Sequence, residues 1–119
     1  MLKNWLLFLF LPILSIACQP AHAVEVGITK KSCNVAVNLS QKATELYDKN
    51  LSQFEIMMQL DMISRKDMDD LEFYAGAVYA KLNLVDIRVN KRKGFTNGAI
   101  LDRLAENCVE AIGTKFNLE

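Results

Sequence analysis

Two cysteines, Cys33 and Cys108, stand far apart in this 119-residue chain, and the third, Cys18, lies just after an apolar N-terminal run. That run sets the context for the other two. Lys3 supplies a positive start, Trp5 to Ile16 is apolar apart from Pro12 and Ser15, and Ala21-His22-Ala23 places small residues where a signal peptidase cuts. Residues 1–23 therefore read as a secretion signal, too short to span a bilayer comfortably and followed by a cleavage site rather than a stop-transfer cluster. Lipid attachment at Cys18, after Ser15-Ile16-Ala17, is the minor alternative. In an exported domain the two remaining cysteines are most simply one disulfide, joining Cys33 to Cys108. Closing a loop of this length contributes about 4 kcal/mol on a chain-entropy estimate.

Removing the leader changes what the rest can do. The only His (His22), the only Trp (Trp5) and both prolines (Pro12, Pro20) lie within it, so the segment from Val24 to Glu119 contains none of these. Without His there is no Ser-His-Asp or Cys-His arrangement, no imidazole base and no His-containing zinc site. Cys33 and Cys108 lack a CxxC spacing. Catalysis would rest on carboxylates, Lys or Tyr, and no recognisable constellation presents them, so the reading is no enzyme, no cofactor and no metal. The whole chain balances 14 basic against 14 acidic residues, and losing Lys3 leaves an excess of one acid. That balance argues against nucleic-acid binding.

Apolar periodicity predicts helices throughout, in a single domain over residues 24–119. Val24 to Lys31 reads as an extended or mobile lead-in. The first helix is expected over about Ser32 to Lys49, with Ser32 as N-cap, an apolar face of Cys33, Ala36, Ser40, Ala43 and Tyr47, and Asn50 as the left-handed residue at its end. Ser52-Gln53-Phe54-Glu55 is a capping box, with Leu51 and Ile56 as its hydrophobic staple. This second helix should end near Ser64-Arg65-Lys66. A third begins near Asp67 and carries Met68, Leu71, Ala75, Val78 and Leu82; it is either separate from the second or continuous with it. Val85-Asp86-Ile87-Arg88-Val89 alternates apolar and polar, as an extended segment or as the tail of the third helix. With no second strand candidate, no sheet is expected. Asn90 to Gly94 reads as a basic loop, and Thr96 caps a last helix of Ile100, Leu101, Leu104, Ala105, Cys108 and Ile112 that Gly113 ends.

The fold class is thus all-α, a small bundle of four helices (three to five), with first and last helices joined through Cys33 and Cys108. The acidic run Asp67, Asp69, Asp70 and Glu72 has two readings, Ca²⁺ ligation or helix capping. It lacks the Gly and spaced Glu of an EF-hand loop, which favours capping. Two features suit a partner surface. Adjacent Met57 and Met58 cannot both face one seam, and Met adapts well at binding faces. Lys91-Arg92-Lys93 is the one basic run.

A leader, Cys33, a helix with Leu39 and Ala43, a turn at Asn50, the Val78-Tyr79 step and a final helix closing on Cys108 together resemble a group of small exported bacterial helical proteins with one cysteine near each domain end. The chain departs from that group at Tyr47-Asp48-Lys49-Asn50, where members often carry Arg and Gly, and in having no Pro within Lys81 to Leu84. The resemblance implies a helical fold and an exported location, periplasmic or secreted, with no activity to carry over. The functional expectation is a noncatalytic protein that binds another macromolecule, a protein partner in the cell envelope, with no membrane span once the leader is cut. An acid- or envelope-stress chaperone is the alternative, and a phage-type exclusion or lysozyme-inhibitor protein the third.

Overall fold

A computed structural model describes residues 24–67 and 69–118. The expected leader over residues 1–23 and the placement of Met68 lie outside the described residues. Among the described residues five helices make up the bundle: α1 (Lys30–Asp48), α2 (Gln53–Ser64), α3 (Leu71–Leu82), α4 (Leu84–Arg92) and α5 (Asn97–Glu110). A short ladder accompanies them, with β1 (Val24–Gly27) antiparallel to β2 (Lys115–Leu118). None of the described helices is long and apolar enough to cross a membrane.

The caps explain where each helix begins. Ser52 Oγ accepts the Glu55 N–H at 3.2 Å and Thr96 Oγ1 accepts the Ala99 N–H at 3.2 Å, so α2 and α5 start where the sequence places them. The first helix starts earlier than expected. Thr29, in extended conformation, accepts the Ser32 N–H at 3.2 Å, and Ser32 lies inside the helix and fully buried. Asn50 takes a left-handed φ of 63°, and Gly113 takes φ 92° beyond α5.

Helices α2 and α3 are separate. Ser64 Oγ bonds back to the Leu60 carbonyl at 2.9 Å, a 3₁₀ turn over Arg65–Asp67 follows, and Asp70 opens α3 by accepting the Glu72 and Phe73 N–H groups. The acidic run thus supplies a cap, and α3 starts at Leu71 rather than near Asp67. The alternating segment is neither a strand nor the tail of α3. It forms α4, because burial follows a helical step: Leu84 and Ile87 are buried while Val85 and Val89 face solvent. Likewise Asn90 to Arg92 belong to the last turn of α4 and not to a loop.

The two-stranded ladder departs from the expectation of no sheet. Its second strand is four residues long and separated from Gly113 by Thr114 alone, too short to show alternation in sequence. The pairing continues into the turn, where the Ile28 N–H donates to the Thr114 carbonyl at 2.9 Å and the Gly113 N–H to the Ile28 carbonyl at 3.0 Å. Val26 and Ile28 are buried, which anchors this N-terminal segment to the bundle.

Helix α1 is central and packs against the other four helices. Cys33 and Cys108 are both buried and disulfide-bonded, with 5.6 Å between their Cα atoms, so first and last helices are joined as expected. The closest approach is between α1 and α3. A Cβ at Gly76 would stand 2.4 Å from the Ser32 carbonyl oxygen and 2.7 Å from Val35 Cβ. Buried small residues, Ser32, Ala36, Ser40 and Ala43 on α1 and Ala75, Ala77 and Ala80 on α3, are what this spacing requires.

This contact predicts opposite effects at two helical glycines. Gly76→Ala should lower stability by about 2 kcal/mol, since overpacking against backbone outweighs the gain in helix propensity. Gly98→Ala meets open space and should raise stability by about 0.5–1 kcal/mol. Urea denaturation of both variants measures this, and a stabilised Gly76→Ala would contradict the close contact.

Candidate partner surface and basic cleft

The two methionines singled out from sequence divide as their adjacency requires. Met57 is half-buried against the core, whereas Met58 points outward at 51% exposure. Met58 has company on its own face of α2. Phe54 and Met62, one turn before and one turn after it, are 70% and 65% exposed. Repeats at four residues share a helix face, so α2 presents an outward apolar stripe opposite the buried Ile56 and Leu60.

The basic run also divides. Lys91 is committed to the fold: its Nζ donates to Asp48 Oδ1 and to Asn97 Oδ1, the latter at 2.6 Å, while Asn97 Nδ2 donates to Asp48 Oδ2 at 2.8 Å. This triangle joins the end of α1, the end of α4 and the start of α5. The Lys91 hydrogen bond, with that of Asn97, holds the Asp48 carboxyl below the usual carboxylate range. Arg92 and Lys93 stay exposed at the end of α4.

Two clefts flank α4. One, of about 250 Å³, is lined by Asn83, Asp86, Asn90, Lys93, Arg103 and Asn107 among others, and so mixes both charges. The other, of about 510 Å³, lies between α4 and the α1–α2 connection; Arg88, Lys91 and Arg92 face Tyr47, Asn50, Leu51, Ser52 and Gln53. Tyr47 Oη donates to the Leu84 carbonyl at 3.1 Å, and burial raises its phenol pKa against the opposing charge of Arg88. The structure thus groups Lys91 and Arg92 with Arg88 and places Lys93 in the other cleft. Met57 and Met58 line neither. The signal for Arg88 was present in the spacing 88, 91, 92, which shares a face only if the segment is helical.

At the opposite end of α1, Lys31 pairs with Asp70 and Thr29 Oγ1 donates to Glu72 Oε2 at 2.6 Å. The Lys31 hydrogen bond lowers the Asp70 pKa, with the Phe73 N–H adding to it. The Asp70 carboxylate is thereby occupied with a lysine and two backbone donors rather than set in a metal-binding cluster.

The depressed Asp48 carboxyl fixes the sign of a pH effect. A group with a lowered folded-state pKa contributes stability above its unfolded value and loses it as pH falls through the folded value. Wild-type stability should therefore decline as pH falls through and below the ordinary carboxylate range, and Asp48→Asn should show a shallower decline. Urea midpoints across that range measure this, and parallel curves would contradict the Lys91–Asp48 pairing.

Comparison with protein-family models, with curated proteins and with solved structures finds no match to this chain.

Proposed function

We propose that this chain is an exported, noncatalytic helical protein of the cell envelope that acts by binding a partner protein through the outer face of α2. The observation that carries the reading is the exposed stripe of Phe54, Met58 and Met62. Three large apolar side chains on consecutive turns resist solvent exposure at a cost that a partner removes, and two of them are methionines, which adapt their shape to an apposed surface. The stripe is narrow, widened at its end by Ile63 and bordered by exposed Glu55 and Gln59 within the same turns. That width suits a groove or helix face on another protein, read at four-residue spacing.

Support for the exported setting comes from three features. The N-terminal run ends in a signal-peptidase pattern, the Cys33–Cys108 bond suits an oxidising compartment, and the described helices include no membrane span. The absence of His beyond residue 22 supports the noncatalytic reading, because it withdraws the commonest general base.

The test is capture of a defined partner from periplasmic extract by the purified protein. Met58→Glu should abolish capture with little change in thermal stability, since Met58 is already half in solvent. Gln59→Ala, on a neighbouring exposed position, should retain capture. Equal capture by Met58→Glu and wild type, or turnover of a small substrate by the pure protein, would overturn the proposal.

A further inference from the structure

A second surface carries an inference that goes beyond partner binding by α2. The cleft between α4 and the α1–α2 connection collects hydrogen-bond donors and cations without a compensating acid. Arg88, Lys91 and Arg92 lie at steps of three and one along α4, and the opposite wall adds the Asn50 and Gln53 amides and the Ser52 hydroxyl. Among the described residues, no Asp or Glu lines this cleft. The carboxylate paired with Lys91 is Asp48, which also accepts from Asn97. Lys91 therefore brings a largely offset charge, and the uncompensated cations are Arg88 and Arg92. Among the described residues, neither forms a salt bridge.

Arg88 is the more telling of the two. Its Nε is shielded from solvent and has no acceptor on the protein. A charged donor withdrawn from water without an acceptor is unfavourable, and a turn of the side chain towards an acceptor held in the cleft removes that cost. Ser52 adds to the donor set: its Oγ lone pair already takes the Glu55 N–H, which leaves the hydroxyl proton free to point elsewhere.

We infer that this cleft binds an oxyanion of the phosphate type, with Arg88 and Arg92 as its charged contacts and Asn50, Ser52 and Gln53 as neutral donors. Two guanidinium groups present planar forks that match phosphoryl oxygens in pairs. More donors converge here than the two oxygens of a single carboxylate use well. At about 510 Å³ the cleft exceeds what a bare inorganic ion fills, so the natural ligand is a phosphoryl group attached to a larger polar body. Tyr47 and Leu51 supply a wall against which that body rests. A soluble phosphate ester and a phospholipid headgroup share this chemistry.

Inorganic phosphate titrated at constant ionic strength, followed by ¹H–¹⁵N NMR, is the first probe. Saturable shifts are expected at the Arg88 Nε–Hε resonance and at the amides of residues 50–53. Arg92→Gln, at an exposed position that leaves the fold intact, should weaken binding about tenfold. Arg88→Lys keeps the charge but removes the Nε donor and should also weaken binding. Lys93→Gln, one residue on but outside the cleft, should bind as wild type does. Vesicles of phosphatidylglycerol in phosphatidylcholine form the second probe, against phosphatidylcholine alone. Sedimentation with the anionic vesicles that Arg92→Gln abolishes identifies a headgroup; Arg92-dependent phosphate binding without sedimentation identifies a soluble ligand, and both support the site. Non-saturating shifts, or shifts equal in Arg92→Gln and Lys93→Gln, overturn it.

Discussion

The Cys33–Cys108 bond fixes the relation between the first helix and the last, and the remaining elements are arranged on α1. Cys33 sits in the first turn of α1, close to Ser32, whose carbonyl oxygen is the point where Gly76 lets α3 approach. The same end of α1 receives the Thr29–Glu72 and Lys31–Asp70 contacts from the start of α3. Covalent closure, close backbone packing and polar contacts are therefore concentrated at one end of one helix. The β1–β2 ladder lies at this end as well, since Val24–Gly27 leads into α1 and Lys115–Leu118 leaves α5. The far end of α1 is held by the Asp48–Lys91–Asn97 triangle and by the Tyr47 hydroxyl on the Leu84 carbonyl.

That division has a functional consequence. The outer face of α2 is not needed to close the bundle, and it is there that Phe54, Met58 and Met62 stand in solvent, while the basic cleft opens between α4 and the far end of α1. A small domain with its stability concentrated elsewhere tolerates unfavourable groups in such places. An exposed apolar stripe and a shielded guanidinium nitrogen are both locally costly, and both are costs that a bound ligand reduces.

Much of this was legible from sequence where the governing rule is local. Ser52 and Thr96 mark helix starts, Asn50 and Gly113 mark helix ends, and two cysteines on apolar helical faces identify a bond, because each of these depends on neighbours within a turn or two. The misses have physical reasons. Thr29 and Ser32 are equally able caps, and the choice between them is settled by α3, which needs Ser32 buried inside the helix. Val85 to Val89 imitates a strand because α4 has only two buried positions, Leu84 and Ile87, too few to display a helical period. The β1–β2 pairing and the Lys91–Asp48 contact join residues far apart in sequence, and no local pattern reports them. The Arg88–Lys91–Arg92 face was hidden by the same misreading of α4, since a strand would have put Arg88 and Lys91 on opposite sides.

If the disulfide is the constraint on which the rest depends, it must be present in the protein as the cell exports it. The direct measurement is mass spectrometry of protein recovered from the exported fraction, alkylated before any reduction and then digested. A cross-linked peptide pair containing Cys33 and Cys108, with neither cysteine alkylated, is the expected result. Recovery of both cysteines as alkylated free thiols in folded, exported protein would contradict it.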